Sequence, residues 1–321
     1  MQYPPMPIAE TPPPEVVRLY EEARTFTSAT RADSTLRAYA SDWADFELWC
    51  RAHHASTMPA EPIVVVLYLT DRAKTLKPST LSRRLAAISI AHQWAGKVSP
   101  TTDVRVREVM RGIRRTLGTA QAEAAPLTIG DVRRICARLS DTPIDVRDRA
   151  VLLTGFAGAL RRSEIAALDL DDVTHRDEGI ALTLRRSKTD QEGAGRRVAL
   201  TRGSDHETCP VSALDRWIEL AVIEDGPIFR AVDRHGTIGE DRLSGQSVGL
   251  IVKRAVASIG LDPSRYSGHS LRAGFATTAA ANGAAERAIA NQTGHVSMNV
   301  LRRYVRHGSL FVDNAVTTLG L

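Results

Sequence analysis

Tyr304 stands in VLRRYVRHGS (residues 300–309) with Arg302, Arg303, Arg306 and His307 beside it. A phenol with an ordinary pKa of about 10 is a poor nucleophile at neutral pH unless a base takes its proton and cations receive the charge of the reaction. A tyrosine set among three arginines and a histidine raises the question of such chemistry. The same stretch also reads as a solvated basic helix that turns its tyrosine inward, so the rest of the chain must decide. Attack on a phosphate ester needs positive donors on the non-bridging oxygens, a nucleophile in line, and an acid and a base for the two bridging oxygens.

Residues upstream of Tyr304 offer a candidate for each role. GHSLR puts His269 and Arg272 three apart, on one face of the first turn of a helix whose N-terminus favours an anion. TGHVS carries His295 after a glycine, nine residues before Tyr304. In GALRRSEIAAL, Arg161 has Glu164 three residues on, placed to pair with it and fix its fork, although the adjacent Arg162 competes for the assignment. RRSKTDQEGAG presents Lys188 on a hairpin turn. Each piece alone is weak, since a hairpin lysine is usually solvated and an H-x-x-R is common. A metal-dependent nuclease would need a carboxylate cluster, for which DLDDV (169–173) is the nearest material, but that stretch also suits a turn from helix to strand.

The elements that carry these residues follow from periodicity. LTIGDVRRICARL begins with a capping box of Thr128 and Asp131. DVRDRAVLLTGFAGAL and RSEIAAL read as helices, GIALTLRRSKTDQEGAGRRVAL as a β-hairpin about a Gly-containing turn, and PVSALDRWIELAVI as a helix opened by Pro210. From 246 onward the pattern is helical, broken at GLDPSRYSG and NGA. Ahead of them, LGTAQAEAAP (117–126) is small, polar and weakly patterned, the best linker in the chain. The preceding stretch reads as a helical bundle: Leu36, Tyr39, Trp43, Phe46, Trp49 and Cys50 form one stripe, EPIVVVLYLTDRAK is a buried helix, and KPSTLSRRLAAISIAHQWAG packs Leu81, Leu85, Ile88 and His92 inward. The expected organisation is a disordered Pro-rich tail and lead-in over 1–29, a helical domain over 30–116, a linker over 117–126, and a mixed domain over 127–321.

Composition limits the classes of function. At 43% hydrophobic over 321 residues the chain buries proper cores, and its longest apolar runs fall short of the roughly 20 residues of a membrane span. Six prolines and no basic residue in the first fourteen argue against a secretory signal, which makes the expected location cytoplasmic. Cys50, Cys136 and Cys209 suit neither a disulfide framework nor a zinc site and are expected as buried small residues. The net charge of +5 is local: residues 1–117 carry 16 Lys and Arg against 12 Asp and Glu, and 118–321 carry 26 against 25. Most of that excess lies in VRVREVMRGIRR, where Arg107, Arg111, Arg114 and Arg115 form a ridge that fits phosphate contact as well as it fits a solvated face. Arg83 and Arg84 join them as candidate DNA contacts.

In order, Arg161 in ALRRSE, Lys188 in the hairpin, His269 and Arg272 in SGHSLR, His295 in TGH and Tyr304 in VLRRYVR resemble the full residue set of the tyrosine recombinases, the phage integrase family. The resemblance covers roughly residues 30–310, and RYSGHSLRAGFATTAAANG looks closest to the Cre-like members. Cre itself has tryptophan where this chain has His295, so there the chain follows the wider family. The resemblance implies a mostly α fold with a small β-sheet: an N-terminal core-binding bundle and a C-terminal α+β catalytic domain that together clamp DNA. It implies that Tyr304 forms a 3'-phosphotyrosine with no metal, ATP or other cofactor. Arg161 and Arg272 would hold the phosphorane charge and Lys188 would protonate the leaving 5'-oxygen. His269 would take the tyrosine proton, His295 would donate to a non-bridging oxygen, and Glu164 would support the site. The partners implied are double-stranded DNA with inverted half-sites and three further copies of the chain, which would be a monomer when free and nucleoid-associated in the cell. Telomere resolvases and type IB topoisomerases share this chemistry and differ in assembly. A non-catalytic DNA-binding regulator has no use for a Tyr, a His and two Arg at these spacings.

Overall fold

The computed structural model describes residues 13–30, 33–119, 124–185, 195–294 and 302. It divides into two units, Met1–Ala122 and Glu123–Leu321. The described part of the first is helical: α1 (Pro14–Ala29), α2 (Asp33–Ala52), α3 (Pro62–Arg72), α4 (Pro78–Trp94) and α5 (Val104–Leu117). Helix α1 occupies the lead-in that follows the Pro-rich run. The last proline of the run opens it, where a missing N–H costs nothing, and the residues that follow contain no breaker and pair Arg24 with Glu21 at 3.1 Å.

In α2 the aromatic stripe does what its spacing requires. Phe46, Trp49 and Cys50 are buried with Val65, Tyr68 and Leu69 of α3, Leu81 and Ile88 of α4, and Val106 and Met110 of α5. The Tyr68 ring meets Phe46 edge-on at 5.0 Å and Trp49 at 5.5 Å. His92 is a packing residue: its Nε2 accepts from Ala60 N at 2.9 Å, which leaves Nδ1 to donate to the Ile88 carbonyl at 2.8 Å. Burial pushes its pKa down, in keeping with a neutral ring.

The second unit starts where Leu127 donates to the Ser270 carbonyl at 3.0 Å and the capping box of Thr128 opens α6 (Ile129–Cys136). Next come α7 (Pro143–Ala157), α8 (Arg162–Ala167), β1 (Val173–Arg176), β2 (Gly179–Leu184), β3 (Arg196–Thr201) and α9 (Pro210–Leu220). They are followed by β4 (Arg230–Val232), β5 (Ile238–Arg242), α10 (Gly245–Ser258), α11 (His269–Ala281) and α12 (Glu286–Thr293). Strands β1, β2 and β3 form an antiparallel sheet in that order, with Leu182 opposite Val173 and Val198. Strands β4 and β5 pair separately. Helix α7 is the hub, buried on nearly every side. At its Gly155 a Cβ would stand 2.6 Å from Ile165 Cδ1 and 2.8 Å from Leu271 Cδ1, so a side chain there would have to displace those two side-chain ends from α8 and α11. Cys209 does more than fill space, since its sulfur caps α9 by accepting from Ser212 N at 3.4 Å.

Candidate active site

Helix α7 leaves its last turn through Ala159, a non-glycine residue in the left-handed region (φ +49°), and the chain turns there into Arg161 and α8. That corner is held from two sides. The Arg161 backbone N–H donates to Glu164 Oε2 at 2.8 Å, and its Nη1 donates to Oε1 at 2.5 Å, so one carboxylate caps the helix and fixes the fork. From α11, Arg272 donates through Nη1 to the Ala159 carbonyl at 2.9 Å. Two guanidiniums distant in sequence are therefore referred to the same three-residue corner. Arg272 is 1% exposed and Glu164 3%, and charges this deep persist only when fixed by good partners.

Glu164 pairs with Arg161, as the i, i+3 spacing of the two residues leads one to expect. Arg162 is exposed, its stem laid against Gly268, where a Cβ would fall 2.8 Å from Arg162 Cβ. His269 is the first residue of α11 and is exposed; its backbone N–H donates to Ser267 Oγ at 3.2 Å, while Ser267 N donates to Ser270 Oγ at 3.0 Å. Helix α11 thus sets an accessible imidazole beside its positive end and a buried guanidinium one turn on. Lys188, His295 and Tyr304, with Arg303 and Arg306, lie outside the described residues; Arg302 is described and faces Glu286 at 3.3 Å.

A fourth charged group belongs here that the sequence reading missed. Arg196, first in β3, reaches Glu164 Oε2 through Nη2 at 3.4 Å and the Gln292 carbonyl through Nη1 at 2.8 Å. Strand alternation could have found it, since Arg196 shares a face with the buried Val198 and Leu200 and an inward arginine needs partners. Two of the three DLDDV carboxylates are engaged elsewhere: Asp172 pairs with Arg185 at 2.6 Å and Asp169 with Arg242, at the turn from α8 into β1. Among the described residues no group of three or more His, Cys, Asp or Glu is arranged to hold a metal ion.

In the first unit α5 buries Val106 and Met110 and exposes Arg107, Arg111, Arg114 and Arg115. Arg107 donates to the Thr102 carbonyl at 2.5 Å and Arg114 to Ser82 Oγ at 3.0 Å. Arg83, half exposed, lies in a fork on Asp42 at 2.7 and 3.0 Å. Arg84 is turned inward, its side chain 14% exposed and bonded to Asp45 and to Tyr68 Oη at 2.7 Å.

The sequence pattern of the phage integrase family matches residues 126–309, more than half of the chain. The chain belongs to the phage integrase family. It is 39% identical over 306 residues to an integrase/recombinase XerD homolog of Selenomonas ruminantium, covering 94% of this chain and 90% of that one. It is 28% identical to the recombinase Cre of Escherichia phage P1, covering 81% and 80%. A similar fold occurs in the lambda integrase (residues 75–356) bound to DNA, with a TM-score of 0.61 at 17% identity over 92% of this chain and 95% of that one. The XerH recombinase on its palindromic difH substrate gives 0.60 at 17% identity over 83% and 74%. This family member is a tyrosine-type site-specific recombinase, and its two-unit, mostly helical architecture is the one the sequence resemblance implied.

Proposed function

We propose that the protein cuts and rejoins double-stranded DNA through a tyrosyl ester, as a tetramer on two sites with inverted half-sites. The Tyr304 oxygen attacks the scissile phosphorus while its proton passes to His269. The bond to the 5'-oxygen breaks, Lys188 protonates that oxygen, and a 3'-phosphotyrosine remains. The freed 5'-hydroxyl of the partner strand then attacks the ester and releases the tyrosine, so the count of phosphodiester bonds is conserved and neither ATP nor metal is consumed. Arg161 and Arg272 receive the charge on the non-bridging oxygens, and His295 donates to one of them. The observation that carries this reading is the corner at Ala159–Arg161, where Glu164 holds the guanidinium of Arg161 and the Ala159 carbonyl that of Arg272 before any substrate arrives. Donors held in advance stabilise a transition state without reorganisation. Tyr304→Phe tests it: the variant should bind cognate DNA with near-normal affinity and form no denaturant-resistant adduct, while the wild type should form one in excess EDTA. An adduct in the phenylalanine variant, or cleavage that EDTA abolishes and magnesium restores, would sink the reading.

A further inference from the structure

We propose that Arg196 is a positioning residue of this active site, tying the strand that leaves the Lys188 hairpin both to Glu164 and to the last turn of the helix that precedes His295. The proposal rests on the recombinase reading above. Its guanidinium is shared between two acceptors in different directions: Glu164 Oε2 at 3.4 Å and the Gln292 carbonyl at 2.8 Å. Glu164 is the carboxylate that holds Arg161 at 2.5 Å, so Arg196 and Arg161 lean on one buried anion.

The second acceptor explains why an arginine is needed. The final carbonyls of a helix lack intrahelical donors and carry its negative end, and a cation placed there satisfies both needs. Helix α12 ends at Gly294 in the left-handed conformation (φ +62°), and a Cβ at that glycine would stand 2.9 Å from Arg196 Nε and 3.1 Å from its Cδ and Cζ. The Arg196 side chain thus lies close against Gly294, the residue that immediately precedes His295. Gln292 is itself pinned, its Nε2 donating to Ala157 O at 2.8 Å and Ala199 O at 2.9 Å. Burial lowers the pKa of Arg196 while Glu164 offsets that effect, the balance expected of a guanidinium taken out of water for the sake of its bonds. A lysine would keep the charge and lose the planar fork that serves two acceptors at once.

The experiment compares Arg196→Met and Arg196→Lys with the wild type by four measurements: adduct-formation rate at saturating protein, DNA affinity, thermal unfolding, and backbone hydrogen exchange over residues 286–294, α7 and α10. Arg196→Met should lose about 100-fold in rate, the scale of a 1 Å misplacement at a reacting centre. Its affinity should stay within about threefold, and exchange should rise at 286–294 with little change in α7 and α10; Arg196→Lys should fall between. Rates within about threefold of wild type, or unchanged exchange at 286–294, would overturn the proposal. So would rate, affinity and global stability falling together in both variants, which would mark a packing role only. A wild type that forms no adduct would refute the recombinase reading instead, and the exchange measurement would still decide whether Arg196 holds α12.

Discussion

A guanidinium that is 1% exposed, as Arg272 is, has no room to re-aim toward a substrate. Its contribution must already be in place, which separates it from the arginines on the outer face of α5. Arg161→Ala or Arg272→Ala should therefore slow adduct formation by about 100-fold or more at saturating protein, with little change in affinity. Arg111→Ala should leave that saturated rate intact, weaken binding, and reduce the slope of log affinity against log salt by about one. Equal rate losses in both groups would refute the division. His92 yields a prediction of another kind. Its neutral ring accepts from Ala60 N, and burial holds its folded pKa below the ordinary value of about 6.5. The unfolded chain therefore binds a proton first as pH falls, so the stabilisation is complete above about 6.5 and is lost below it, at up to about 1.4 kcal/mol per pH unit. Urea unfolding followed by tryptophan fluorescence reads this unit, which holds Trp43, Trp49 and Trp94 of the chain's four tryptophans. His92→Gln should be less stable at pH 7 and flatter in pH dependence; an unchanged slope would refute the assignment.

Helix α11 carries His269 and Arg272, and its placement depends on one glycine. A Cβ on Gly274 would stand 1.8 Å from the Leu127 carbonyl oxygen and 2.6 Å from its carbon, and neither is a flexible side-chain end. Gly274→Ala should therefore cost about 3 kcal/mol or more and slow adduct formation through a shifted α11, as measured by thermal unfolding and by the saturated rate. A stable, fully active alanine variant would show that the crossing has slack. Such close approaches are invisible in sequence, where RAGFATT is only a helix with a glycine in it. What the sequence makes legible is whatever has a local cause: the capping box at Thr128, the prolines opening α3, α4, α7 and α9, the hairpin periodicity, and the Arg161–Glu164 pair at i, i+3. Strands β4 and β5 escape because they are short and nearly devoid of apolar alternation; Ile238 of β5 is followed by four exposed residues. Arg196 escapes because its partners lie 32 and 96 positions away. The ion pairs of Arg83 and Arg84 escape for the same reason, since Asp42 and Asp45 lie about forty positions away.

At the scale of the molecule, the basic excess resides in the helical unit and the fixed charges of the site in the other, in keeping with the proposed division between holding DNA and cutting it. The second unit also has an apolar cavity of about 500 Å³ lined by Leu153, Phe156, Phe275, Ala279, Ala288 and Ile289. That volume is typical of sites that seat a ligand. The sequence supplies an occupant of matching chemistry: residues 308–321 carry Leu310, Phe311, Val312, Val316 and Leu319, too many apolar side chains for fourteen residues to bury on themselves. Docking on the same chain would fill the cavity without assembly. Docking on the next protomer makes a heterologous contact that closes into a ring of four, and it gives each subunit a way to sense its neighbour before Tyr304 is used. Deleting residues 309–321 distinguishes the two. With docking in trans, the shortened protein should unfold at a similar temperature and bind a single half-site with unchanged affinity, yet lose cooperativity on a duplex with two half-sites and form no tetrameric complex in gel-shift titration. Filling the cavity from within by Ala279→Leu should reproduce the loss in a full-length chain, because it blocks the acceptor and leaves the segment present. Undiminished cooperativity in both variants would mean that the segment docks on its own chain and that assembly rests on other surfaces.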